Sequence, residues 1–572
     1  MTFNLGFRYD VDTPRHEAHG AQSVLDLNTP NPGAGGTPGA LIYGSNATGA
    51  KTYYKNFGPR IGFAYAPEKL FGRFRQTVVR GGYGIYHAAL FYTDFGDSLT
   101  SGTTINPTFT SPDSFSPVLV NGKGSLDTGF PAFAPPSNAQ DPALLNGNFQ
   151  GNPSYVGPSN GRSGMIQNWS LEIQNQLAQD LIFSLGYVGN HATRLNSNLQ
   201  QLNAIDPKFL SLGLKLNEKV TSPGGQATLA TLGVTVPAWF ESLYGPTGGD
   251  LVGQLLLPFP QYVSGRFNNS GIRTDCCLQN LGQSTYNALQ AKLERRFRNG
   301  LNLLASYTYS KTLTDADSAY AGLTAFGSSD TFTAQNPRDL KSEKALSYQD
   351  VPHAFVLSYL YELPIGKGKK FLNKGGVVDK VLGGWQVGGV HRYQSGAPFI
   401  PFTSDAHNSD FGTANTRLSL IPGQPLLAPN HSSYDPFLGG SGCTPNPDGS
   451  GTYLPQSTNN FFNCAAFLDP NAPNLVAQRG YTFGNLSKVF GNIRSPHYVN
   501  EDFSLIKRFT LYEAHVLSFK ADFVNLFNRH TLGRGDGCVT CDSFGRPGAQ
   551  FGGFPFALNA PKIIQLTFRY QF

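Results

Sequence analysis

Six cysteines fall into three close groups: Cys276 with Cys277, Cys443 with Cys464, and Cys538 with Cys541. An even count in segments read as facing the cell exterior points to disulfides that staple loops, with the connectivity left open. Cys538-Val539-Thr540-Cys541 also reads as half a metal site completed by His530, Asp536 or Asp542, or as a redox pair. Zinc would ask for a second CxxC and a thioredoxin-like pair for a βαβ context, and neither pattern occurs in the chain. Disulfide or unpaired loop cysteine is therefore the preferred reading.

Three further motifs match catalytic signatures only as text. His16-Glu17-Ala18-His19 separates its histidines by three, whereas a zinc-protease helix needs i and i+4, and Pro14 and Gly20 bracket a loop. Gly157-Pro158-Ser159-Asn160-Gly161 spells G-x-S-x-G without the preceding strand and following helix of a nucleophile elbow. Gly81-Gly82-Tyr83-Gly84 lacks the third glycine and the helix of a dinucleotide fingerprint; strand glycines more readily let a wall bend or a neighbour approach. No catalytic, metal or cofactor residue is assigned, no cofactor is expected, and the chain is not expected to be an enzyme. Arg80, Glu172, Lys292, Glu294, Arg392, Lys520, Asp522 and Arg569 are expected on one side of their strands. There they could meet a solute or a plug, but a hydrated interior with paired charges is the simpler expectation. No substrate-binding residue is singled out.

The elements that hold these residues are strands. Period-2 alternation marks about twelve, near 2–10, 57–66, 75–86, 167–177, 180–189, 284–297, 300–311, 353–363, 382–394, 498–509, 512–525 and 561–572. Phe3, Leu5, Phe7 and Tyr9 oppose Asn4, Gly6 and Arg8; Leu517, Phe519, Ala521 and Phe523 oppose Ser518, Lys520 and Asp522. In the final strand Ile564, Leu566, Phe568, Tyr570 and Phe572 share one face, and Gln565, Thr567, Arg569 and Gln571 the other. One face suits lipid and the other water. Ending on Leu566, Phe568, Tyr570 and a terminal Phe572 resembles the signal by which the barrel assembly machinery reads bacterial outer-membrane β-barrels.

Composition agrees. Only 14% of residues are charged and 13% are aromatic, against roughly a quarter charged in ordinary globular domains. No apolar run approaches the roughly 18 residues of a membrane helix and mean hydropathy is −0.25, so a bilayer-spanning form must be a closed β-barrel. The net charge of +6, from 43 Lys and Arg against 37 Asp and Glu, contains no basic block suited to nucleic acid. Met1-Thr2-Phe3-Asn4-Leu5 reads directly as strand, without the regions of a secretory signal, so truncation at the N-terminus is expected.

Short connections (67–74, 178–179, 298–299, 364–381, 510–511) alternate with long ones (11–56, 87–166, 190–283, 312–352, 395–497, 526–560). Short periplasmic turns and long extracellular loops are the habit of transmembrane barrels. With the C-terminus in the periplasm, strand parity places every long segment outside. Runs such as Asn31-Pro32-Gly33-Ala34-Gly35-Gly36 read as loop chemistry, and no fixed-period repeat is present.

Seven fragments then stand in order: Asn56 to Tyr65, Val79 to Tyr86, Asn168 to Gln174, His353 to Ser358 with Glu362 to Lys369, Gly383 to Gly389, Gln394 to Phe399, and Asp522 to Arg529. Together they resemble the barrel of the Oar-like TonB-dependent receptors common in Acidobacteria and relatives. The resemblance implies a 22-stranded barrel with a plug, a TonB box and often an N-terminal carboxypeptidase-regulatory-like domain. Residues 1–572 are expected to be the C-terminal barrel portion, all-β and antiparallel, with contact to the TonB complex only through the missing region. The implied function is import of an unidentified solute, with outer-membrane lipid and the assembly machinery as partners and no nucleic acid. A surface adhesive or structural outer-membrane protein is the alternative.

Overall fold

The computed structural model describes residues 1–14, 23–43, 50–67, 76–90, 153, 155–197, 199–245, 250–262, 280–316, 334–401, 417–435, 438–512, 515–530, 532–533, 535–547 and 561–572. The wall consists of β1 (Thr2–Asp10), β2 (Asn56–Tyr65), β3 (Gln76–His87), β4 (Met165–Ala178), β5 (Leu181–Leu195), β6 (Gly282–Arg298), β7 (Leu301–Thr314), β8 (His353–Glu362), β9 (Trp385–Gln394), β10 (Tyr498–Tyr512), β11 (His515–Val524) and β12 (Ile563–Gln571). Each pairs antiparallel with its neighbours in chain order, giving an uninterrupted meander from β1 to β12. The twelve expected strands are these twelve. Among the described residues the outer edges of β1 and β12 have no strand partner.

Register turns the alternation within each strand into two continuous faces. Tyr65, Val79, Ile173, Leu185, Ala291, Tyr307, Phe355, Tyr393 and Val499 are successive cross-strand partners from β2 to β10. One residue along, the row Gln174, Ser184, Lys292, Ser306, Val356, Arg392 and Asn500 belongs to the opposite face. At the other end of the meander, Val387, Leu505, Ala521 and Leu566 continue the apolar face. A one-residue slip anywhere would exchange the faces, so the apolar pattern holds the register. Cross-strand aromatic pairs reinforce it, for example Phe519 with Phe568 at a centroid separation of 4.9 Å.

The apolar face lies open: Leu5 is 79% exposed, Leu171 48% and Phe568 70%. A face this large and oily needs a covering that the described residues do not supply. Glycines make room for its rings. A Cβ on Gly189 would lie 2.1 Å from the Trp169 indole of the neighbouring strand, so glycine there admits the ring. The β6–β7 turn, Asn299-Gly300, has φ of +52° and +80°, the left-handed pair that a two-residue hairpin turn favours. Asp180 in the β4–β5 turn receives Arg295 at 3.0 Å and Arg298 at 3.2 Å from the end of β6, tying adjacent turns together.

Several boundaries differ from the sequence expectation. β5 runs on to Leu195 and β7 to Thr314, beyond the expected 189 and 311, because ladder hydrogen bonding continues through polar residues such as Asn190 and Thr193 that no longer alternate. A strand needs only about 9–11 residues to cross a bilayer, so the 15 residues of β5 extend past it. Residues 382–384 are not strand: a short helix, Val377–Leu382, and Gly384 at φ +69° precede Trp385.

Candidate functional site

The eight charged residues expected on the wet side share one face of the wall. Arg80 stands directly opposite Glu172. Lys292 meets Glu294 at 3.1 Å and Lys520 meets Asp522 at 2.9 Å, both pairs two apart on one strand. Arg392 donates to Gln394 Oε1 at 2.9 Å and lies over the Tyr498 ring, and Arg569 stands opposite Ser518. Such pairs suit a hydrated surface, and the structure does not gather the eight around one point.

The long connections fold into a layer with cores of their own, which the reading of them as plain loop chemistry missed. The β9–β10 and β11–β12 connections share one core, in which Phe462 stacks on Phe544 at 4.5 Å and meets Phe399 tilted at 4.7 Å, with Phe467 fully buried beside them. The β5–β6 connection contributes Leu210, Leu216 and Leu257 to a second core with Val476 and Tyr481 of the β9–β10 connection. A third joins Leu25 and Leu41 from the β1–β2 connection to Phe259 and Tyr262. Local chemistry supports these segments: in the helix Pro223–Leu232, Ser222 caps the Gly225 N–H at 3.0 Å, Pro223 begins it and Gly233 at φ +67° ends it.

Buried charge knits the layer. Glu343 has no exposed surface and accepts Arg417 at 2.8 Å, Lys488 at 2.7 Å and the Gln335 N–H at 2.9 Å. Burial pushes the Lys488 ammonium below the usual lysine range while the Glu343 carboxylate opposes that shift. Burial acts on Arg417 in the same direction. Tyr262 donates to the Gly39 carbonyl at 3.0 Å, and its burial raises its phenol well above the ordinary value. These contacts are separated in sequence by tens to hundreds of residues, so no spacing pattern signals them.

Four of the cysteines sit in the same layer. Cys443–Cys464 is a disulfide with Cα atoms 5.6 Å apart inside the Phe462 core, and Cys538–Cys541 is a second with Cα atoms 5.3 Å apart. The second bond uses the thiols that the metal-site alternative needed. Cys276, Cys277 and the segment His16 to His19 lie outside the described residues. Gly157 to Gly161 contains a 3-10 turn, Pro158–Gly161, rather than a strand-to-helix elbow.

A family model described as an outer membrane beta barrel domain matches residues 1–558. The chain belongs to that family. As an outer-membrane β-barrel it resides in the bacterial outer membrane, and its apolar face suits lipid. Among solved structures, the barrel is similar to the unliganded ferric citrate transporter FecA, at 10% identity and TM-score 0.32, covering 93% of this chain and 39% of that one. It is also similar to the outer membrane transporter YddB from Escherichia coli, at 8% identity and TM-score 0.34, covering 93% and 42%. The FrpB iron transporter from Neisseria meningitidis is a third, at 8% identity and TM-score 0.32, covering 90% and 39%. The chain thus spans about two fifths of the length of these structures. No curated protein matches it.

At the C-terminal edge of the barrel wall, Leu566 pairs with Ala521, Phe568 with Phe519 and Tyr570 with Leu517. The Tyr570 ring lies 5.8 Å from that of Phe572, so the four apolar residues form one exposed strip. Sequence reasoning missed charges on the apolar face, two of them on β10. Glu501, opposite His391, is buried and receives Arg529 at 3.3 Å. Arg529 is held by Asn525, whose Oδ1 accepts the Arg529 N–H at 2.6 Å from a φ of +51°. Lys507, opposite Trp385, is the other. An interruption of an apolar row by a single charge was the available signal for both.

Proposed function

We propose that residues 1–572 form the C-terminal wall and outer loop layer of an Oar-like TonB-dependent receptor that imports a solute. The observation that carries the reading is the wall itself: a twelve-stranded meander with one lipid-suited face, one polar face and, among the described residues, two unpartnered edges. A sheet with open edges does not seal a bilayer. Further strands before β1 would close it, and the resemblance supplies about ten, together with a plug and TonB box. In this reading the loop layer captures solute, the paired charges line a wet passage, and the TonB complex acts through the upstream plug. The chain performs no catalysis. Leu566, Phe568, Tyr570 and Phe572 serve the barrel assembly machinery as the recognition strip.

The test is deletion of the gene in its own bacterium, followed by uptake profiling of scarce or bulky solutes with and without a protonophore. Loss of one solute's protonophore-sensitive accumulation supports import. A deletion that changes cell adhesion but no solute would sink the reading in favour of a surface adhesive role, which the packed, disulfide-bonded loop layer would also suit.

A further inference from the structure

The β8–β9 connection differs from the other short turns. Residues 364–384 carry Lys367, Lys369, Lys370, Lys374 and Lys380 against Asp379 as their one acid. The segment is built rather than slack. Asp379 accepts the Lys367 N–H at 2.6 Å, Asn373 accepts the Gly368 N–H at 2.7 Å, and Ile365 pairs with Phe371. Its helix, Val377–Leu382, leans on the apolar side of the wall: Trp385 Nε1 donates to the Val381 carbonyl at 3.0 Å, and Lys507 Nζ donates to the carbonyls of Val381 and Gly383.

Trp385 and Lys507 are cross-strand partners in the apolar face, which fixes the side on which the helix sits. Lys507, at 2% exposure, is the charge that would otherwise violate that face, and the helix's C-terminal carbonyls neutralise it. What the helix turns away from the wall is again apolar: Val377 is 77% exposed and Val381 57%, with Val378 and Leu382 beside them. Phe371 and Leu372 are half exposed in the preceding bend.

We propose that this turn is an interfacial foot, docked on the periplasmic leaflet and selective for anionic phospholipid headgroups. Its exposed valines and leucine continue the lipid-contacting face at the level where that leaflet ends, and its lysines meet phosphate while their stems cover apolar surface. Two features set the occupant. The patch is continuous with a surface already in lipid, and its surplus of cations complements an anionic headgroup layer. An acidic periplasmic protein would match the lysines but would give Val377 and Val381 no apolar partner.

The test uses the full-length protein of that reading, with its upstream strands, refolded with vesicles of phosphatidylcholine alone or of phosphatidylcholine with one quarter phosphatidylglycerol. Flotation recovers the vesicle-bound chain, and amide exchange is read over residues 364–384. Docking predicts at least tenfold slower exchange there in the anionic vesicles, with β4 and β5 unchanged and the increment removed by 0.5 M salt. The variant with all five lysines replaced by glutamine should lose the increment while still floating, and Val378→Asp with Val381→Asp should expose the segment in both lipids. Equal exchange in the two compositions, a salt-insensitive increment, or failure to float with either overturns the proposal. The salt comparison needs no variant and so stands if the substituted chains fail to fold.

Discussion

Arg494 holds Asp350 at two of its acceptors, donating to the carboxylate Oδ2 at 2.7 Å and to the main-chain carbonyl at 2.8 Å. Asp350 also accepts the Thr312 N–H at 2.7 Å and is almost wholly buried. One carboxylate thereby joins the outer end of β7, the approach to β8 and the segment leading into β10. Arg494→Ala leaves that carboxylate buried without a cation, which costs about 3–5 kcal/mol. The expected outcome is a lowered denaturant midpoint and faster proteolysis of the 334–352 segment. Asp350→Asn in the same chain should recover part of the loss, whereas an Arg494→Ala chain as stable as the parent would show the pair to be dispensable.

The Phe462 core predicts coupling between two loops far apart in sequence. Phe462→Ala removes a ring packed against Phe399 and stacked on Phe544, at a cost of about 3–5 kcal/mol to the loop layer. Reduction of Cys443–Cys464, which closes a separation of 21 residues, should release about 3 kcal/mol of constraint on the same core. Limited proteolysis should then open both the β9–β10 and the β11–β12 connections together. Cleavage confined to one of them would show that the shared core does not couple them.

Arg338 donates to Asp206 at 2.7 Å across the β5–β6 and β7–β8 connections, and this contact, more than any other, lowers the Asp206 carboxyl below its ordinary value. A carboxyl lowered in the folded chain adds stability above its unfolded pKa and loses it as pH falls through the folded pKa. The contact should therefore hold at neutral pH and fade below about pH 4. Amide exchange of residues 206–217 between pH 6 and pH 3 should show the loss, and Arg338→Gln should remove the dependence. Because Asp206 is solvent-accessible the effect stays small. Weakening on the alkaline side instead would reverse the assigned sign.

Phe572→Asp should impair outer-membrane insertion more than any single substitution in the 395–497 connection, read as heat-modifiable migration in the full-length protein. Phe568→Asp should be worse, because it also breaks the pairing with Phe519 and places charge inside the apolar row rather than at its end. Normal insertion of both variants would reduce the terminal alternation to an ordinary strand.

The wall was legible in the sequence because a strand's side chains alternate whatever its neighbours do. Phe3 to Tyr9 and Ile564 to Phe572 declare their faces locally, and meander order follows once connections are short on one side. The charges from Arg80 to Arg569 fell on the polar face for the same reason. What the alternation could not carry was contact between residues remote in the chain. Glu343 with Arg417 and Lys488, Phe462 with Phe544, and Arg494 with Asp350 exist only once several connections meet at one end of the wall. Lys507 shows the boundary most clearly: its position alone puts a charge on the lipid face, and only the fold of residues 377–383 supplies the carbonyls that satisfy it. Periodicity is a property of one strand, whereas neutralising a buried charge requires groups brought together in space.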